Sequence, residues 1–144
     1  MKTCAFFGHS EVRENIDFRL TNILIDLIEN EDVSNFYVGN HGAFDRLVTD
    51  KLRDLKKRYP HIKYSVVLAY LPSKETLYKY KSTETIYPEG LENALPKYAI
   101  IKRNQWMIKQ ADVIVTYVRF AVGGAAKAKE YAEQKSKRII NISD

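Results

Sequence analysis

Short apolar runs alternate with amphipathic stretches along the whole of this chain, and that alternation restricts the fold more than any single motif. Lys2 to Phe7, Phe36 to Gly39, Tyr64 to Tyr70, Asp112 to Val118 and Arg138 to Ile142 read as strands, the run from Asp112 being the clearest. Between them Ile16, Leu20, Ile23, Leu24, Leu27 and Ile28 recur at helical spacing. Phe44, Leu47, Val48, Leu52 and Leu55 mark a second helix that stops before Pro60. A third helix is expected from about Pro96 to Gln110 and a fourth from Gly124 to Ser136. Strands separated by helices pair in parallel, because each right-handed crossover lays its helix on the sheet. The expected architecture is therefore α/β: a single Rossmann-like three-layer domain over residues 1–144 with a mostly parallel five-stranded sheet. In the usual order the first three strands step outward and the fourth returns beside the first, which opens a crevice between the two. Ser73 to Asn93 has no clear period, carries Pro88 and Gly90, and reads as a loop or lid.

Composition removes several function classes. No apolar run reaches bilayer length, and Met1-Lys2-Thr3 leads at once into a strand with no signal-peptide layout, so no membrane partner is expected and the cytoplasm is the expected setting. Cys4 is the single cysteine, which excludes an internal disulfide and a cysteine metal cluster. His9 and His41 have no third ligand at metal spacing, so neither a metal nor a separate cofactor is expected. The net charge of +5 is spread along the chain, with Lys51, Arg53, Lys56, Lys57 and Arg58 interleaved with Asp50 and Asp54. That is the pattern of an exposed helix face and does not favour a nucleic-acid partner.

Three glycine-bearing turns fall where strands hand over to helices. Gly123-Gly124-Ala125-Ala126 follows the strand from Asp112, Gly8-His9-Ser10 follows the first strand, and Gly39 to Asp45 follows the second. Glycines let the backbone approach a ligand, and the free N–H groups of a helix start favour an anion. All three turns belong to one carboxyl edge, so Gly8, His9, Ser10, Gly39, Gly42, Asp45, Gly123 and Gly124 are candidate ligand-binding residues for a phosphate or nucleotide. Asn104 joins them. It sits on a stripe with Ile100, Ile101, Met107, Ile108 and Ala111, where a buried amide either braces a neighbouring loop or helps to form the site. Arg103 beside it is either a solvated arginine or a cation that reaches the same edge. Tyr117, Tyr131 and Trp106 read as core or subunit contacts, the latter compatible with a homodimer.

Phe7-Gly8-His9, Gly39 to Asp45, Tyr87-Pro88-Glu89-Gly90, Arg103 to Met107, Ala111-Asp112 and Gly123-Gly124-Ala125 together resemble the SLOG superfamily, in particular its small stand-alone YpsA-like branch. The resemblance implies a Rossmann-like domain that binds a nucleotide or nucleotide-derived ligand such as a nucleotide-sugar. Two alternatives come with it. Lonely Guy relatives are phosphoribohydrolases that cut the N-glycosidic bond of a nucleoside monophosphate, and in that reading Arg103 and Glu130 are the catalytic candidates, with Asp45 as the other carboxylate that could serve. Gly123, Gly124 and Glu130 fall in register with the Lonely Guy turn, whereas Val122, Ala126 and Lys127 depart from it. DprA relatives instead use a nucleic-acid partner.

Overall fold

The computed structural model describes residues 1–80 and 84–143. In chain order its elements are β1 (Lys2–Gly8), α1 (Asp17–Asn30), β2 (Val33–Val38), α2 (Ala43–Arg58), β3 (Lys63–Val67), α3 (Lys74–Tyr80), β4 (Thr85–Ile86), α4 (Ala99–Gln110), β5 (Val113–Tyr117), α5 (Gly124–Gln134) and β6 (Arg138–Asn141). Two 3-10 turns, Leu91–Asn93 and Pro96–Tyr98, lead into α4. Among the described residues all strand pairs are parallel, and the sheet has six strands in the order β4-β3-β2-β1-β5-β6.

The outward steps from β1 and the return beside it match the expected order, but the five-stranded expectation is corrected to six. The added strand is β4, whose two residues pair with Val66 and Val67 of β3. Two residues carry no readable period, and this is why Ser73 to Asn93 looked structureless. That stretch in fact holds α3, β4 and a 3-10 turn. The part of the lid expectation that falls on residues 81–83 lies outside the described residues.

Strand alternation sorts the core into two layers. Cys4, Phe6, Phe36, Val66, Val113 and Val115 face α1 and α2, meeting Leu20, Leu24 and Leu27 of the first helix and Phe44, Val48 and Leu52 of the second. Ala5, Phe7, Val67 and Ile114 point the other way, onto Met107 and Ile108 of α4 and Ala128 and Ala132 of α5. Burying each large side chain contributes about 1.5 to 3 kcal/mol, so the first layer carries most of the hydrophobic stabilisation. The second layer is thin. Its alanines bring α5 close to β1 and β5, and with it the turn that precedes the helix. At the other end of the first layer, Lys56, Lys57 and Arg58 occupy the last turn of α2, where cations complement the helix dipole, and Pro60 follows. Among the described residues no helix is long and apolar enough to cross a membrane.

Candidate functional site

Where the strand order reverses, between β1 and β5, the carboxyl edge opens into a cleft of about 490 Å³. The turns after β1 and β2 are fastened to each other at its rim. The Ala43 N–H donates to the Ser10 carbonyl at 2.8 Å, and Gly42 approaches so closely that a Cβ there would lie 2.5 Å from the Ser10 Cα. Its φ of 94° is one that side-chain-bearing residues rarely adopt. Gly8 allows the Phe44 ring to lie over the end of β1, since a Cβ there would come within 2.3 Å of the ring. Gly8 and Gly42 thus join the turns, with Gly42 acting behind the cleft wall, whereas Gly123 and Gly124 line the cleft with open space before them.

The floor is polar and buried. Arg103 is 3% exposed, donating from Nη1 to the Val67 carbonyl at 2.7 Å and from Nε to the Asn104 Oδ1 at 2.8 Å. Asp45 is 7% exposed, and its Oδ2 accepts the His41 N–H at 3.0 Å. Gly39 lies between the two, and a Cβ on it would be 2.8 Å from both the Arg103 Nη1 and the Asp45 Oδ2. Burial pushes the Asp45 carboxyl up to about 6, against the opposing pull of the His41 N–H and the Arg103 charge. Burial also lowers Arg103 from its ordinary value, and the Asp45 charge offsets part of that.

The mouth carries rings and cations. Phe120 is 63% exposed and lies against His9, with ring centroids 5.4 Å apart. The His9 Nε2 accepts backbone N–H groups from Arg119 at 2.8 Å and from Phe120 at 3.3 Å. Arg119 pairs with Glu14 at 3.1 Å, and the same carboxylate accepts the Tyr117 hydroxyl at 3.0 Å. Arg13 lines the same mouth, on which its partner Glu11 also lies. Both loop histidines titrate below their ordinary value, chiefly through burial and then through a nearby arginine, Arg119 for His9 and Arg103 for His41.

Of the candidates named from the sequence, Gly8, His9, Ser10, Gly39, Asp45, Arg103, Asn104, Gly123 and Gly124 line one cleft. Glu130 does not. It is exposed on α5 outside the lining, because Ala128 and Ala132 turn to the sheet and carry Glu130 to the outer side. Arg103 and Glu130 are therefore not brought together, whereas Asp45, the other carboxylate the hydrolytic reading allowed, lines the cleft with Arg103. The polar residue inside the apolar face of α4 is Arg103 and not Asn104, since that face runs through Ala99, Arg103, Met107 and Ile108. Asn104 is half-buried at its margin, and Arg103 is not the solvated arginine that spacing also allowed. The mouth residues Phe120, Arg119 and Arg13 were missed. They sit in loops without periodicity, and the only sign of them was an aromatic next to an arginine just before Gly123-Gly124. No group of three His, Cys, Asp or Glu among the described residues is placed to hold a metal ion.

No family model and no curated protein matches the sequence. Among solved structures, the chain is similar to DNA processing protein A from Helicobacter pylori, in work on the single-stranded DNA binding mode of that protein. The TM-score is 0.66 at 12% sequence identity, and the match covers 96% of this chain and 63% of that one. The two chains thus share an α/β fold, and this chain spans only part of the length of its neighbour. The same finding corrects two expectations. The sequence pointed to a free nucleotide as ligand and away from nucleic acid as partner, yet the solved protein that shares this fold binds single-stranded DNA.

Proposed function

We propose that this protein binds single-stranded nucleic acid across the mouth of the carboxyl-edge cleft. One observation carries the reading: an exposed ring, Phe120, stands at the cleft mouth with Arg119 and Arg13 lining the same opening. Single strands are held by rings on which unpaired bases stack and by cations that follow the backbone. A duplex keeps its bases stacked inside and cannot offer one to a ring at the rim of a cleft. The fold shared with a single-stranded DNA-binding protein supports the same choice.

In this reading a base stacks on Phe120 while Arg119 and Arg13 meet the adjoining phosphates. Gly123 and Gly124 leave the first N–H groups of α5 open to a backbone phosphate. His9 and Ser10 border the entry, and Asp45, Arg103 and Asn104 present polar groups to the edge of a base that enters the cleft. Gly8, Gly39 and Gly42 keep the turns close enough to form it. Within the SLOG superfamily we assign the chain to the YpsA-like branch, on the motifs at Gly39 to Asp45, Arg103 to Met107 and Gly123-Gly124-Ala125.

Fluorescence anisotropy with a labelled oligothymidylate tests the proposal. The parent should bind the single strand at low salt, with a duplex of equal length competing poorly. Phe120→Ala should weaken binding about 5-fold to 150-fold, the loss of one base-aromatic stack worth about 1 to 3 kcal/mol. Equal affinity for duplex and single strand, or an unaltered affinity in Phe120→Ala, would overturn it.

A further inference from the structure

The Phe120 ring belongs to a loop between β5 and α5 that has no regular structure, so something other than a ladder must hold it in place. Two of its backbone N–H groups, those of Arg119 and Phe120, converge on one atom, the Nε2 of His9. An imidazole nitrogen that receives two donors carries no proton of its own, and so the neutral ring keeps its proton on Nδ1. The backbone N–H of His9 donates to the Tyr117 carbonyl at 3.2 Å, which ties the residue that bears the imidazole to the end of β5. His9 also packs edge-on to Tyr117 and beside Phe120, so the same ring supports the phenyl group and anchors the backbone that bears it.

We infer that His9 is the positioning residue of the mouth: its unprotonated Nε2 latches the Arg119–Phe120 backbone, and protonation of the imidazole releases the loop and lowers affinity for single strands. The second half rests on the reading of Phe120 proposed above; the latch itself does not. A protonated Nε2 becomes a donor facing two donors, and neither bond survives.

The charges around His9 act in the same direction. Arg119 lies beside it and disfavours the imidazolium, Glu14 is already engaged by Arg19, Arg119 and the Tyr117 hydroxyl, and Glu11 on its own turn is paired with Arg13. Across the cleft stand His41, Arg103 and Asp45, the last held by the His41 N–H. The sign follows. His9 in the closed loop titrates below its ordinary value of 6.5, through burial and then Arg119, and opening the loop relieves both, so protons favour the open form. Closure is complete above the ordinary value and is lost as the pH falls below it. A histidine that touched phosphate directly would give the opposite sign, since its positive charge would strengthen binding on acidification.

Two measurements on the intact protein separate the latch from the binding reading. Amide hydrogen exchange without nucleic acid should show protection factors at Arg119 and Phe120 that are high at about pH 7.5 and fall at about pH 5.5, with His9→Gln removing that dependence. Affinity for a labelled oligothymidylate should fall about fivefold or more over the same interval in the parent, and the fall should vanish in His9→Gln. Protection that changes with pH while no oligonucleotide binds leaves the latch standing and removes the proposed function. Protection that does not change with pH, or a nitrogen spectrum placing the neutral ring's proton on Nε2, overturns the latch, whatever the binding.

Discussion

At Gly39 a single methyl group decides whether the floor of the cleft exists. Its Cβ would sit 2.8 Å from both a buried guanidinium nitrogen and a buried carboxylate oxygen, which must shift to admit it. Gly39→Ala should therefore lower stability by about 1 to 3 kcal/mol, the usual cost of overpacking, and reduce strand affinity as Arg103 is displaced from the Val67 carbonyl. Urea unfolding and the anisotropy assay read the two effects; an unchanged midpoint would show that the pair yields freely. Asp45 makes a separate prediction. Its carboxyl has a folded value of about 6 against an ordinary 3.8, so the folded state binds its proton more tightly than the unfolded chain does. The stability contributed by the neutral acid is present at low pH and is lost as the pH rises through the interval from 3.8 to about 6. The full cost, about 3 kcal/mol as an order of magnitude, is present at neutral pH. Asp45→Asn should flatten this part of the stability profile relative to the parent. Urea midpoints at several pH values check it, and parallel curves would show that the carboxyl is not strained by burial.

Helix phase, at the scale of the element, separates what the sequence revealed of the site from what it hid. The stripes of α1 and α2 were legible because each has a wide apolar face against a thick layer of large side chains. In α4 the buried face was mistaken by one residue, since arginine can bury its stem and head when a carbonyl and an amide oxygen receive its N–H groups. No periodicity count allows for that. In α5 the helix itself was legible, but Ala128 and Ala132 on its inner side carry Glu130 outward, which only the orientation of the helix could settle. The start of α5 gives the element-scale prediction. A Cβ at Gly124 meets nothing within 4 Å, so Gly124→Val should fold as the parent does, while its side chain occupies the space before the helix N–H groups. Unfolding midpoints should agree within about 0.5 kcal/mol, as for surface changes generally. Affinity for the single strand should drop about tenfold, the loss of one charge-assisted phosphate contact. A folded variant that binds equally well would show that no phosphate rests on that turn.

Over the whole molecule the positive charge is dispersed, and a net value of +5 does not make an extended basic track. Binding is therefore expected to be local to the cleft mouth and to depend only moderately on salt. With Arg13 and Arg119 as the principal phosphate contacts, the slope of log affinity against log salt should lie between about −1 and −2, since a single strand contributes about −0.7 per neutralised phosphate. A titration from low to moderate salt measures it, and a slope several times steeper would point to a surface larger than the mouth. The alternation of strand and helix, the parallel sheet and the position of the crevice were determined by the sequence alone, because periodicity is local and the crossover rule leaves few topologies. The sixth strand was not, for two residues in β4 become a strand only when β3 lies beside them. Nor was the character of the site. Which rings and cations share the mouth with His9, and that Asp45 and Arg103 face each other across Gly39, depend on turns distant in sequence meeting at one edge. Tertiary structure alone decided those meetings, since loop residues carry no period and their partners are fixed by where the strands end.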